Sequence, residues 1–341
     1  MADKKELKKG LISVVMSNYN TPIKYLKESI DSVLNQTYSN FEFIIIDDGS
    51  TDDSLEFIKS YDDPRIKLII NEENIGLTKS LNKGFEVAQG EFIARMDSDD
   101  ICYPERFEKQ IEYMRDNPDT IVCGTWADVI DENNKVQREE WACQAINDMD
   151  EYRIYLLFGN NPLIIHPSSF FNNQTLTDYD IKYNKEYRYS QDYDMWVCCS
   201  KYANCNIYPH VLLKFRQHKN NISNSKTGEQ DKFAIQIIQE QLKELHLSLN
   251  DDLKQLHFKL LHEQKPYTSK IKKWLRTIIK ANKVYNIYNQ RKLKNILWYR
   301  WSEICYEELS NSNFLRCIRI ILSMSFVCKL NLFKIRKSFR Q

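Results

Sequence analysis

From residue 11 to residue 100 the chain alternates short apolar runs with stretches of helical periodicity. Residues 11–16, 41–46, 66–70 and 92–96 form runs rich in Ile, Val and Phe and predict four strands. Between them, Thr21-Pro22 has the form of an N-cap followed by proline at the first helical position, ahead of an amphipathic stretch to about Gln36. Ser50 to Asp53 has the spacing of a capping box opening a second helix. Leu77, Leu81, Phe85 and Ala88 mark the face of a third, closed by Gly90. Repeated βα units of this length predict an α/β fold with a mainly parallel sheet flanked by helices. Residues 103–225 are less regular. From about Glu229 helical spacing returns, through Ile235, Ile238, Leu242 and Leu245, and then through Trp274, Ile278, Ala281, Tyr285 and Tyr288 with Lys and Arg between. The pattern divides the chain into an α/β domain, residues 1–225, and a helical, C-terminally basic region, residues 226–341.

Charge sharpens that division. Residues 265–341 hold 18 basic and 3 acidic side chains, against 30 basic and 44 acidic in the rest of the 341-residue chain. A basic extension suits an anionic partner, either a membrane surface or a nucleic acid. Nine cysteines without a Cys-x-x-Cys pair read as reduced thiols of a cytosolic protein. The basic N-terminus lacks the long apolar region and cleavage site of a signal peptide. No segment approaches the roughly 20 apolar residues of a spanning helix, and the best, residues 320–328, is far shorter.

Candidate chemistry sits at the ends of the predicted strands, where ligands bind in open α/β sheets. Ser17 to Asn20 follows the first, Asp47 to Thr51 the second, and the fourth stops abruptly in FIARMDSDD (92–100). Side chains alternate across a strand, so Asp97 and Asp99 project to one side. Two such anions at ~4 Å repel by roughly 4 kcal/mol at an effective dielectric of 20, unless a proton, water or a cation intervenes. A hard divalent cation shared with substrate phosphates is the sharpest of these readings; an acidic turn facing water is the plain one. There is no G-x-G-x-x-G and no G-x-x-x-x-G-K-[ST], which argues against a dinucleotide site and a P-loop.

In order and spacing, five segments together resemble the inverting family 2 glycosyltransferases of GT-A fold. They are SVVMSNYN (13–20), SIDSVLNQTYSNFEFIIIDDGSTDDS (29–54), NIGLTKSLNKGFEVAQGEFIARMDSDD (74–100), QDYDMW (191–196) and FRQH (215–218). The resemblance implies a metal-dependent transfer of sugar from a nucleoside diphosphate sugar, UDP-sugar being the expected donor, with Mn²⁺ or Mg²⁺ as the ion. Asp97 and Asp99 match the DxD motif, Asp99 as metal ligand and Asp97 near ribose and metal; Asp100 supports them or caps the following helix. Asp48 matches the residue that bonds uracil, although Asp47 could serve instead, and Tyr19 matches the ring on the base, with Ser17 beside it. Asp192 matches the catalytic base, preceded by Gln191 where glutamate is usual, and Asp194 competes for that role. His218 matches a histidine used at the diphosphate or metal, and Arg216 pairs with phosphate or with an acidic neighbour. His166 resembles an acceptor-side loop, with a purely structural role equally open, and Trp196 is assigned to packing.

The implied partner is a glycan or lipid-linked oligosaccharide acceptor at the inner face of the cell membrane, and no nucleic acid is expected. Two rivals stand beside this reading. A sugar-nucleotide nucleotidyltransferase would carry a glycine-rich, lysine-bearing loop where SNYNTP stands. A nucleic-acid-binding protein would use aromatics interleaved with bases in the C-terminal region: Trp274, Tyr285, Tyr288, Trp298, Tyr299 and Trp301.

Overall fold

The computed structural model describes residues 6–141, 146, 148–158, 164–219, 227–260 and 269–310. The 320–328 run lies outside them, as does much of the basic tail. The chain forms two compact units, one of Met1–Met149 with Asn161–Phe233, the other of Asp150–Asn160 with Ala234–Gln341.

The first unit is built on a nine-stranded sheet. Its parallel half holds β1 (Lys8–Asn18), β2 (Phe41–Asp47), β3 (Ile66–Ile70) and β4 (Gly90–Asp97), in the order β3-β2-β1-β4. All seven residues of β2 (FEFIIID) are buried, which suits the apolar run Phe43–Ile46 to an interior parallel strand. Helices α1 (Ile23–Leu34), α2 (Ser54–Lys59) and α3 (Leu77–Val87) connect these strands. On α1, Leu26, Ile30 and Val33 are buried, one face of a helix.

Beyond β4 the sheet becomes mixed. The further strands are β5 (Ile101–Cys102), β6 (Thr120–Ile130), β7 (Val136–Trp141), β8 (Phe170–Asn172) and β9 (Asn204–Arg216). β8 runs antiparallel to β4 and β6, β7 antiparallel to β6, and β5 antiparallel to β9, while β6 and β9 are parallel. Half of the sheet thus departs from the uniform βα pattern. The physical reason is connection length: β6 and β7 are joined by a tight turn, which fits only an antiparallel pair. Helices α4 (Arg106–Asp116), α6 (Asn173–Asp178) and α7 (Gln191–Cys199) lie among these strands in the chain, as does most of the irregular stretch expected between 103 and 225.

Three local expectations are corrected. No side-chain bond caps α1 or α2. Thr21 Oγ1 instead lies 2.7 Å from Ser98 Oγ, and Ser50 Oγ donates to Asp47 at 2.6 Å, so both hydroxyls serve the strand-end network. Gly90 does not close α3 but opens β4. A Cβ there would stand 2.6 Å from the Leu11 carbonyl oxygen, so only glycine lets β4 lie against β1.

The second unit is helical where described: α5 (Met149–Leu156, all but its first residue), the larger part of α8 (Thr227–Glu244), α9 (Asp251–Lys259), α10 (Ser269–Tyr285) and α11 (Gln290–Ser310). Leu242, Leu245, Ile271, Leu275, Ile278, Leu293, Leu297 and Trp301 form its core. His257 is buried there; Trp274 Nε1 donates to its Nδ1 at 2.9 Å, which leaves its Nε2 to donate to the Leu157 carbonyl at 2.9 Å. No helix among the described residues is long and apolar enough to cross a membrane.

Candidate active site at the strand ends

Strand register assembles the site. β1 pairs with both β2 and β4, placing Asn18 beside Asp47 and Ser17 beside Asp97 at one edge of the sheet. Asn18 is buried, and its Nδ2 reaches Asp47 Oδ1 (2.8 Å), Ser50 Oγ (3.1 Å) and Ser54 Oγ (3.0 Å), tying the ends of β1 and β2 together. Gly49 makes the turn that follows, with φ +70°, and a Cβ there would meet the Glu73 backbone at 2.5 Å.

The two aspartates at the end of β2 divide their partners. Asp47 accepts from Asn18 and from both the amide and hydroxyl of Ser50. Asp48 accepts from Asn71 Nδ2, Ser80 Oγ and the amides of Ile75 and Gly76, all within 3.0 Å, and so anchors the start of α3. Tyr19 is 48% exposed at the same edge. Among the described residues no hydrogen bond occupies the Ser17 hydroxyl or the Tyr19 phenol.

FIARMDSDD is held from both sides. Ser29 Oγ on α1 donates to the Asp97 carbonyl (2.8 Å), and Arg216 donates its amide to Asp100 Oδ1 (2.7 Å) and its Nε to the Asp99 carbonyl (2.7 Å). The Arg216 side chain is fully buried and pairs with Glu28 at 2.6 Å, lying over the Tyr25 ring. Of the two partners expected for Arg216, the structure supplies the acidic neighbour.

Asp97, Asp99 and Asp100 each offer an oxygen within 4.8 Å of the others. Asp97 is paired through both oxygens with Arg95, a 2% exposed side chain inside β4. Burial raises the Asp97 carboxyl, the Arg95 charge opposes that, and Asp99 and Asp192 raise it further. Asp100 is pushed well up by burial and by its two neighbours, and its Oδ2 is buried without a protein donor. Such crowding is relieved by a proton or a cation, and an all-oxygen donor set suits Mg²⁺ or Mn²⁺. These residues therefore fit a hard divalent ion. His218 follows β9, and its Nε2 lies 2.9 Å from Asp99 Oδ2 with the ring stacked on Tyr25. A cleft of about 410 Å³ adjoins it, lined by Asp131, Glu132, Asn133, Gln217, His218 and Lys219.

Helix geometry separates Asp192 from Asp194. Both lie in the first turn of α7, two positions apart, and so on different faces. Asp192 acts electrostatically on Asp97 and Tyr183. Asp194 is pushed up to about 6 by burial, with Lys201 opposing. His166 opens the 3₁₀ turn His166–Ser168, with Nε2 2.8 Å from Tyr183 Oη and its ring edge-on to Trp196. Burial, with the Arg95 charge, holds His166 well below the usual histidine range. Trp196 is buried and stacked on Phe171, in line with a packing role.

Sequence reasoning overlooked Arg95, although a charged residue two positions before Asp97 in an apolar strand was a legible signal. Asn71 and Ser80 were overlooked too, and little in the sequence marks them; Asn18 is read only as part of the Ser17–Asn20 cluster.

Comparison with known proteins bears on the family and the fold. Residues 13–180 match the glycosyl transferase family 2 profile, a span that includes Asp48 and the DSDD cluster but not Asp192 or His218. An uncharacterized glycosyltransferase of Methanocaldococcus jannaschii is 39% identical over 216 residues, covering 62% of this chain and 72% of that protein. One of Haemophilus influenzae is 33% identical over 243 residues, covering 68% and 73%. Among solved structures, Staphylococcus aureus TarS residues 1–349 in complex with UDP superposes with a TM-score of 0.55 at 19% identity, covering 86% of this chain and 87% of that one. The mixed sheet flanked by helices is thus the GT-A arrangement, and the chain is a glycosyltransferase that belongs to glycosyl transferase family 2.

Proposed function

We propose that this glycosyltransferase moves a sugar from a UDP-sugar to a hydroxyl of a glycan or lipid-linked glycan acceptor, with a divalent ion and with inversion at the anomeric carbon. The observation that carries the reading is the cluster of Asp97, Asp99 and Asp100 at the end of β4, with Asp192 close enough to shift Asp97. TarS, which shares the fold, has been solved with UDP and with UDP-GlcNAc, and this supports the choice of donor.

Tyr19 covers the base, Asp48 accepts from it, and Ser17 lines the strand end beside them. Asp97, oriented by Arg95, serves ribose and metal. Asp99 with His218 would hold the ion and the diphosphate, and Asp100 supports them. When bound, the ion offsets the negative charge that builds on the departing diphosphate. Asp192 takes the acceptor proton as the new C–O bond forms and the bond to UDP breaks, the electron pair leaving with the diphosphate. A single displacement of this kind turns an α-linked donor into a β-linked product.

The α/β unit would carry this chemistry, and the basic helical region would meet the acceptor or an anionic membrane, at the cytoplasmic face. The nucleotidyltransferase rival falls with the family assignment. A panel of nucleotide sugars, each tested with and without Mn²⁺ for thermal stabilisation and for sugar transfer to glycan acceptors, tests the proposal. Cation-dependent stabilisation by a UDP-sugar and a β-linked product are expected. Preference for another nucleotide, cation independence or a retained α-linkage would each remove the corresponding part.

A further inference from the structure

Helix α10 differs in charge from the other helices of the second unit. Its sequence SKIKKWLRTIIKANKVY contains six basic residues and no acidic one. Ile271, Trp274, Leu275 and Ile278 are buried, whereas Lys270, Lys273, Arg276, Lys280 and Lys283 are exposed. Those five follow one another at intervals of three or four residues and so share one face. At ~1.5 Å per residue they line roughly 20 Å of helix. Among the described residues none of the five is within ion-pair distance of a carboxylate. By contrast, Lys243 on α8 and Lys254 on α9 each pair with an acid three residues earlier. Like charges at this spacing destabilise a helix, so the stripe is a cost to folding that an external anion would offset.

Two observations select the anion. At the end of the stripe and on its face, Val284 is 73% exposed, an apolar group beside cations, as on helices that lie at a lipid interface; Tyr285 falls on the buried face instead and stacks on His246. Of the six rings that a nucleic-acid platform would need, Trp274, Tyr288 and Trp301 are turned into the core, at 4%, 5% and 0% exposed, Trp298 and Tyr299 are half-buried, and Tyr285 is stacked on His246.

We propose that the exposed face of α10 docks on a bilayer of acidic phospholipid, the five cations against the headgroups and Val284 in the interface. This gives the membrane reading a specific surface, and it stands or falls separately from sugar transfer. The test sediments the full chain with phosphatidylcholine vesicles, with and without phosphatidylglycerol, at low and high salt. Binding that requires phosphatidylglycerol and weakens with salt is expected. Lys273→Glu, Lys280→Glu and Lys283→Glu together, all at exposed positions, should weaken it by roughly tenfold or more, without lowering the melting temperature and with transfer to a water-soluble acceptor unchanged. Val284→Asp should weaken binding at high salt as well. If the triple variant sediments like the parent, or neutral vesicles bind equally well, the docking surface is wrong. Binding to an oligonucleotide in place of anionic vesicles would also overturn it.

Discussion

Replacing Arg95 with methionine keeps the volume of the side chain but removes its charge, and the structure sets the consequence. Arg95 is 2% exposed and holds both oxygens of Asp97, whose side chain is 29% exposed. Breaking a buried pair by removing one partner typically costs about 3–5 kcal/mol, because the remaining charge is stranded. Water at the partly exposed Asp97 recovers some of this, so a loss of about 2–4 kcal/mol is expected. Asp97→Asn alone strands the guanidinium instead. The double variant strands neither, so it should be more stable than the sum of the two single losses implies, by at least about 1 kcal/mol. Urea unfolding of the three variants and the parent measures this coupling. UDP titration with Mn²⁺ should weaken in Arg95→Met, since Asp97 loses its orientation. A coupling near zero, or a loss below about 1 kcal/mol for Arg95→Met, would refute the role given to the pair.

Further predictions follow from the same geometry. Asp194 ionises near 3.9 when unfolded but near 6 when folded, so its ionisation costs stability progressively as pH rises from 4 to 6. Asp194→Asn should therefore stabilise the chain by roughly 2–3 kcal/mol at pH 7 and by almost nothing at pH 4, with turnover retained; urea midpoints at the two pH values check it. His257, held to about 4 by burial, is protonated first in the unfolded chain. The second unit should lose stability as pH falls from 6.5 to 4, and His257→Phe should flatten that dependence in thermal melts. Asp99→Ala should abolish Mn²⁺-stimulated UDP binding, and an unchanged titration would remove its metal role.

Much of the donor side was legible because strand-end chemistry follows from strand pattern. Apolar runs that stop at Ser17, Asp47 and Asp97 locate one edge of a parallel sheet, and register then brings them together. Hydroxyls were harder to read. Thr21 and Ser50 have the right spacing to cap helices, but a partner distant in sequence took one and the adjoining strand end the other, and local pattern does not show such competition. Asp192 and Asp194 could be separated only once QDYD was seen to be helical, since on a strand they would share a face. The mixed half of the sheet depends on pairings between short segments far apart in the chain, such as β8 between β4 and β6, which carry no periodic signature of their own.

The central claim, that Asp192 is the base of sugar transfer beside the DSDD cluster, is tested most directly by Asp192→Asn. General base catalysis contributes about 10²–10⁴-fold, so transfer from the UDP-sugar should fall by that amount while UDP binding with Mn²⁺ stays within about threefold of the parent. Transfer within about threefold of the parent would contradict the assignment.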